Sequence, residues 1–393
     1  MGGPGVPHAG RVPETPLPRD EFPIASRYVY LDNATASPLP LCAARAAKEY
    51  LDDVTAKGGL SLPRWEERAE EVRESAAALL DVPAHSIAFV KNTTEGVAFV
   101  ANGLQLAAGE RVVVPDHEFP SIAYPWVALR DRGVIVDFID PLGTGWTLPL
   151  RQFRTALERS ATRVVATSWV QFGRGWRTDL AALAALCHEH GALLCADAIQ
   201  GLGVVPAHFA AWDVDFAVAD GNTWMLGPMG TGVFYSSDRA RALVRPTEPG
   251  RSSVACPMTA AVAPVVFEES ARRFEGGALT FETITQLGAS TDLILKAGIE
   301  EVWGHVDALL DRAVDGLRAG GITTLSDRSL GGRSASITVH VPGHEPAQVC
   351  EQLRYQDIIC AVSAGGVRIS PHGYNTVAEI DRLVEALRHV AHG

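Results

Sequence analysis

Short apolar runs alternate with stretches of helical spacing from about residue 85 to 240. "SIAFV" (86–90), "RVVVP" (111–115), "GVIVDFI" (133–139), "TRVVATSWV" (162–170), "ALLCADA" (192–198) and "VDFAVAD" (214–220) predict strands. These runs are apolar nearly throughout, the pattern of strands covered on both faces. Between them "EGVAFVANGLQL", "SIAYPWVALRDRG", "RQFRTALERS" and "DLAALAALCHEHG" have helical spacing and end in Gly or polar turns. Such alternation predicts an α/β fold with a mostly parallel central sheet flanked by helices. From about residue 284, "ITQLGASTDLILKAG" and "IEEVWGHVDALLDRAVDGLRAGG" predict long helices leaving the sheet, and the tail from "RSASITVHV" onward predicts a smaller strand-and-helix layer. The expected organisation is an N-terminal arm (1–30), a large α/β domain (31–285) and a small α/β C-terminal domain (286–393). In open sheets of this kind ligands sit beyond the carboxyl ends of the strands.

Composition narrows the partners more than the fold. The chain has 393 residues, 47% hydrophobic and 20% charged, enough for a large core and more than one small domain. A net charge of -12 gives no basic footprint, so nucleic acid is not an expected partner. The 6 cysteines form no CxxC pair, which signals neither a metal site nor a disulfide framework. The Gly- and Pro-rich start, "MGGPGVPHAGRVPETPLPRDEFP", lacks the cationic and apolar regions of a signal peptide and reads as a loose arm. No run approaches the roughly 20 apolar residues of a membrane span. A cytoplasmic protein that meets no membrane and acts on a small molecule is expected.

Two stretches carry candidate chemistry. "NTTEGVAFV" opens a helix with hydroxyls, Glu95 and a Gly. Free amides and the positive dipole end there suit a phosphate, although the stretch taken alone favours a simple N-cap at Thr93 or Thr94 with capping-box character. "LLCADAIQGLG" ends an apolar strand in Asp197, with Gln200 three residues on. A carboxylate in that position needs a cation such as a protonated ring nitrogen, or several hydrogen bonds.

These stretches occur in a specific order with others: "YLDNATASPLP", "DHEFPSIAYPW", "SWVQFGRGWRTDL", "DFAVADGNTWMLGPMGTG", "RRFEGG" and "VRISPHGYNTVAEIDRL". The set resembles the class V aminotransferase family of fold-type I pyridoxal phosphate enzymes over most of the chain, with the isopenicillin N epimerase-like branch as the expected nearest one and the cysteine desulfurases beside it. The resemblance implies that Thr93, Thr94 and Glu95 belong to a phosphate-cradling turn and that Phe119 stacks on the pyridine. It implies that Asp197 pairs with the pyridinium and Gln200 lies near the phenolic oxygen, with Trp224 lining the pocket. It places Asn33, Arg368 and His372 at the substrate, Arg368 gripping a carboxylate with its two-pronged donor. A homodimer is implied as well.

The chain departs from the family text at its centre. Where the family has His-Lys-Trp, this chain has Asn222, Thr223 and Trp224, and Ala278 follows "RRFEGG" where Thr is usual. The Lys normally forms the Schiff base and moves protons, so Thr223, Asp197 and His117 become the candidate catalytic groups. None of Lys48, Lys57, Lys91 and Lys296 is placed to substitute. Cys360 falls inside the strand-like "DIICAV" and not on the loop where desulfurases carry their nucleophile. Lysine-aldimine aminotransferase and cysteine desulfurase activities are therefore expected to be absent. Three functions stay open: an atypical biosynthetic enzyme holding pyridoxal or pyridoxamine 5'-phosphate non-covalently, a cofactor-independent enzyme using the old pocket, and a non-catalytic partner subunit.

Overall fold

The computed structural model describes residues 14–140, 148–159, 161–255 and 265–392. Among these the strands are β1 (Val29–Tyr30), β2 (Ile87–Val90), β3 (Arg111–Pro115), β4 (Ile135–Ile139), β5 (Thr162–Ser168), β6 (Leu193–Asp197), β7 (Phe216–Asp220) and β8 (Gly232–Ser236). The C-terminal part adds β9 (Thr323–Thr324), β10 (Ile337–His340), β11 (Ile358–Ile359), β12 (Ala361–Ser363) and β13 (Gly366–Ile369). The large sheet has the order β2-β8-β7-β6-β5-β3-β4. β3 to β7 run parallel, and β8 is antiparallel to both its neighbours. The expected α/β architecture is thus present.

Period-two alternation divides each central strand between two cores. Val112 and Val114 of β3 pack with Val97 and Ile122, from α3 (Thr93–Gly103) and α4 (Pro120–Val127). Val113 joins the opposite core with Leu183 of α6 (Leu180–Glu189). Burial on both faces explains why these strands read as continuous apolar runs.

The helices α1 (Leu41–Lys57) and α2 (Leu62–Leu80) pack on α8 (Phe281–Ala297). The expected domain boundary after residue 285 therefore falls within α8, which stays with the large lobe. The chain turns away at Gly298 (φ 88°) into α9 (Ile299–Ala319). The small lobe packs α9, α10 (Pro346–Arg354) and α11 (Val377–His392) with the four-stranded sheet β12-β13-β10-β9.

The N-terminal arm needs correction from residue 14 onward; residues 1–13 lie outside the described residues, as does Cys256. Leu17 is buried, and its amide donates to the Gly373 carbonyl at 3.0 Å. Arg19 pairs with Glu379 at 2.7 Å, and β1 lies parallel to β11. Buried contacts fix this segment to the small lobe.

Candidate active site

Alternation decides what the carboxyl ends of the sheet present. Val164 and Ala166 of β5, Cys195 of β6, and Phe216 and Val218 of β7 pack under α3 and α4. Two residues further along each strand, Ser168, Asp197 and Asp220 share that face. Asp197 is the register partner of Ser168, so the loop leading into α4 can bring a further carboxylate beside them.

Asp197 is buried and accepts a hydrogen bond from the Ile199 amide at 3.0 Å. Burial, with the negative charges of Glu118 and Asp220 nearby, pushes its carboxyl up to about 8. Glu118 accepts from the Thr167 hydroxyl (3.0 Å), the Ser168 amide (2.6 Å) and the Ser168 hydroxyl. Burial raises its carboxyl as well. Asp220 accepts from the Thr93 amide and, at 3.1 Å, from the Thr93 hydroxyl; its carboxyl too is raised by burial.

Thr223 and Gln200 build the wall behind Asp197. The Thr223 hydroxyl donates to the Ile199 carbonyl at 3.0 Å, so Ile199 links it to Asp197. Gln200 donates to the Ala34 carbonyl (2.9 Å) and accepts from the Trp224 indole (3.1 Å). The Asn222 carbonyl takes the Ser37 amide at 2.9 Å.

The opposite wall is aromatic and cationic. Phe119 is 45% exposed, its ring edge-on to Phe172 with centroids 5.3 Å apart. Arg368, 6% exposed, donates to the Phe172 carbonyl (3.0 Å), the Thr35 hydroxyl (2.6 Å) and Asp32 (3.3 Å). Its Nε is buried without a partner, and burial pulls the guanidinium below its ordinary range. Contacts thus run from Phe119 through Phe172 and Arg368 to Thr35; its chain neighbour Ala34 is bonded by Gln200, whose own neighbour Ile199 is bonded to both Thr223 and Asp197. His117 stands exposed in the loop before Glu118, with a left-handed backbone (φ 67°). Its carbonyl takes the Gln171 amide at 3.3 Å.

Several expected roles give way to structural ones. Asn92, not Thr93 or Thr94, caps α3, accepting from the Glu95 amide. The Thr93 hydroxyl is turned to Asp220, and Glu95 forms an ion pair with Lys91 at 2.7 Å. Thr94 stays exposed, its hydroxyl donating to Ser121 at 2.9 Å. Asn33 is buried, donating to the Ser370 carbonyl (2.9 Å) and accepting from Tyr374 (2.9 Å) and Ser37 (3.0 Å). These bonds tie Asn33 into the join between the N-terminal segment and the small lobe. His372 is buried between the Trp224 carbonyl (3.0 Å) and the Gly373 amide (2.7 Å). Those bonds fix a neutral ring, and burial pulls its pKa down to about 4. Glu118 and Asp220 were missed. Asp220 ends an apolar run as Asp197 does, so the same signal could have found it.

The Aminotransferase class-V family profile matches residues 29–383. The chain belongs to the class V aminotransferase family. It is 30% identical to a probable cysteine desulfurase of Methanothermobacter thermautotrophicus, over 95% of this chain and 97% of the relative. A cysteine desulfurase of Klebsiella pneumoniae subsp. pneumoniae is 28% identical, again over 95% of this chain and 97% of the relative. The apo cysteine desulfurase of Thermococcus onnurineus NA1 superposes with a TM-score of 0.87 at 23% identity, over 96% of this chain and 98% of that one. A lysine-to-alanine mutant of C-DES, with glycine covalently linked to its PLP cofactor, has a TM-score of 0.87 at 21% identity, over 94% and 99%.

These likenesses overturn the expectation that set the chain apart from cysteine desulfurases. That expectation rested on local text around Thr223 and Cys360, whereas the likeness extends over nearly the whole chain. None of these relatives carries the expected epimerase name. Cys360 itself is buried, and burial pushes its thiol well up. Among the described residues no group of His, Cys, Asp and Glu could hold a metal ion, and no helix is long and apolar enough to cross a membrane.

Proposed function

We propose that this chain is a class V enzyme that acts on a small substrate bearing an amine and a carboxylate, a class that includes cysteine. It would hold the ring of a pyridoxal- or pyridoxamine-type cofactor without a covalent link through Thr223. The observation that carries this reading is Asp197. A buried carboxylate with one backbone donor and carboxylate neighbours is poorly compensated until a cation joins it, and a protonated ring nitrogen is such a cation. Phe119 offers a flat exposed face for a ring, and the Arg368 Nε is a buried donor suited to a carboxylate. The lysine-to-alanine mutant of C-DES, with glycine covalently linked to its PLP cofactor, is a neighbour of this fold in which the ring is carried as an adduct with an amine, and this supports the reading.

The fit to a phosphorylated cofactor is incomplete. Asp197, Phe119 and the Trp224 side of the pocket suit the ring. At the α3 end Asp220 occupies the Thr93 donors, so the residues there do not fit a phosphate. When bound, the ring would supply an electron sink for bonds at the substrate α-carbon. This chain's residues would orient it, hold its nitrogen proton at Asp197 and grip the carboxylate at Arg368. We further propose a homodimer, which sedimentation would detect. The groove that sets Leu62, Leu279 and Phe281 among the charged side chains Glu66, Glu70, Arg251 and Arg272 is the face we assign to a second copy.

Reconstitution tests the reading. The natural protein, Asp197→Asn and Thr223→Lys are each mixed with pyridoxal and pyridoxamine forms, dialysed and scanned for bound ring absorbance. The natural protein should retain a ring that borohydride does not fix, Asp197→Asn should lose it, and Thr223→Lys should bind it reducibly. Absence of any bound ring from the natural protein would sink the proposal. A cofactor-independent reading is favoured by Asp220 and by the basicity of Asp197, which is matched to a general base at neutral pH. It predicts turnover that needs Asp197 with no ring absorbance at all.

A further inference from the structure

The end of the pocket under α3 has the wrong hydrogen-bond polarity for a phosphate. Of the first four amides of α3, three already have acceptors within the chain. Thr93 donates to Asp220 Oδ1, Glu95 to the Asn92 side chain at 2.9 Å, and Gly96 to the Asn92 carbonyl at 3.3 Å. The donors that make a helix N-terminus attractive to anions are largely taken. Lys91, the cation nearest this turn in sequence, is answered by Glu95 at 2.7 Å. What the chain presents instead is Asp220. Its Oδ1 accepts both the amide and the hydroxyl of Thr93, while Oδ2 takes part in neither bond. An ionised carboxylate is acceptor-only, as is a phosphate dianion, so the two repel by charge and offer each other no hydrogen. A hydroxyl or ammonium group has the hydrogen that Oδ2 lacks.

We propose that Asp220 makes this end of the pocket select against phosphate and for a group that donates a hydrogen. Of two ring ligands differing only there, the unphosphorylated one is preferred to its phosphate ester. This selectivity rests on the ring-binding reading proposed above. It names the class of ligand more closely: a pyridoxamine- or pyridoxal-type ring carrying a free hydroxymethyl group, whose O–H donates to Asp220. Thr94 of α3 and Ser121 of α4, which share a hydroxyl–hydroxyl bond at 2.9 Å, border this end and carry no charge.

Calorimetric titration of the full chain with pyridoxamine and with pyridoxamine 5'-phosphate tests this, on the natural protein, Asp220→Asn and Asp220→Ser. Asn keeps an acceptor for the Thr93 amide, and Ser covers the case in which the amide variant fails to fold; thermal melting monitors both. The natural protein should prefer pyridoxamine by about tenfold or more, and removing the carboxylate should move the ratio at least about tenfold toward the phosphate ester. Equal or tighter binding of the ester by the natural protein, or a ratio unmoved in both variants, overturns the inference and leaves the ring reading intact. If neither ring ligand binds any form, the ring reading is lost and inorganic phosphate decides. A gain of phosphate affinity in Asp220→Asn over the natural protein supports the charge selectivity, and no gain overturns it.

Discussion

Asp197 gives the site a pH signature that needs no substrate. Its carboxyl is raised from 3.8 to about 8, so between those values the folded chain keeps a proton that the unfolded chain has released. Stability then falls as pH rises through the window, and the loss is complete above about 8. His372 works in the opposite sense: lowered from 6.5 to about 4, it adds stability as pH rises across that range. Above 6.5 its effect is over and the buried carboxylates remain. From pH 6.5 to 8 the melting temperature of the natural protein should fall, and that of Asp197→Asn should fall less. Parallel melting curves would refute the burial account. Arg368 is testable through affinity. Lys cannot supply two prongs, so Arg368→Lys should weaken binding of a carboxylate-bearing ligand by about tenfold to a hundredfold, or ~1.4–2.8 kcal/mol. An unchanged affinity would assign Arg368 to holding Phe172 and Thr35 alone. At this scale the sequence was half legible. Asp197 stands out because a charge ending an apolar run demands explanation, and Arg368 stands out only through the family resemblance of its motif. The burial and bonding of Asn33 and His372 were hidden, since they depend on distant partners: Ser370 and Tyr374 lie 337 and 341 residues from Asn33, and Trp224 lies 148 from His372.

The segment "RRFEGG" is held by a buried ion pair. Glu275 accepts from Arg73 of α2 at 2.7 and 3.1 Å and from the Phe89 amide of β2 at 2.7 Å. Arg73 also donates to the Ile87 carbonyl at 2.8 Å, so the pair fastens α2, β2 and the stretch leading to Ala278. Breaking such a pair leaves a buried charge, and Glu275→Ala should cost about 3–5 kcal/mol in urea unfolding. Glu275→Gln, which keeps an acceptor for the Phe89 amide, should cost clearly less; equal losses would mean that charge plays no part. The elements themselves were visible to differing degrees. The parallel strands announced themselves because both faces are buried. The helix α1 did not, because it buries only Ala43 and Asp53 and shows no apolar stripe. Strand order was illegible, as β8 inserts between β2 and β7 through pairings that no local pattern encodes.

The two lobes meet where the N-terminal segment crosses between them, and the Arg368 end of the site lies on that seam. Phe22 is buried and stacks on Tyr374 with ring centroids 4.1 Å apart. Tyr374 donates to Asn33 at 2.9 Å, and Asn33 donates to the carbonyl of Ser370, two residues beyond Arg368. Arg19 and Glu379 close the same seam at 2.7 Å, with Arg19 also donating to the Tyr374 carbonyl at 3.0 Å. Removing the Phe22 ring leaves a cavity against Tyr374, and Phe22→Ala should lower stability by about 3–5 kcal/mol. It should also weaken binding of a carboxylate-bearing ligand, although Phe22 touches none of the groups that would hold it. Asp197 lies on the large lobe, so binding of the ring should change little. Calorimetry with the two kinds of ligand separates these effects. A loss confined to the carboxylate places the influence in the seam, whereas equal losses for both ligands would make Phe22 a general support of the fold and not of Arg368.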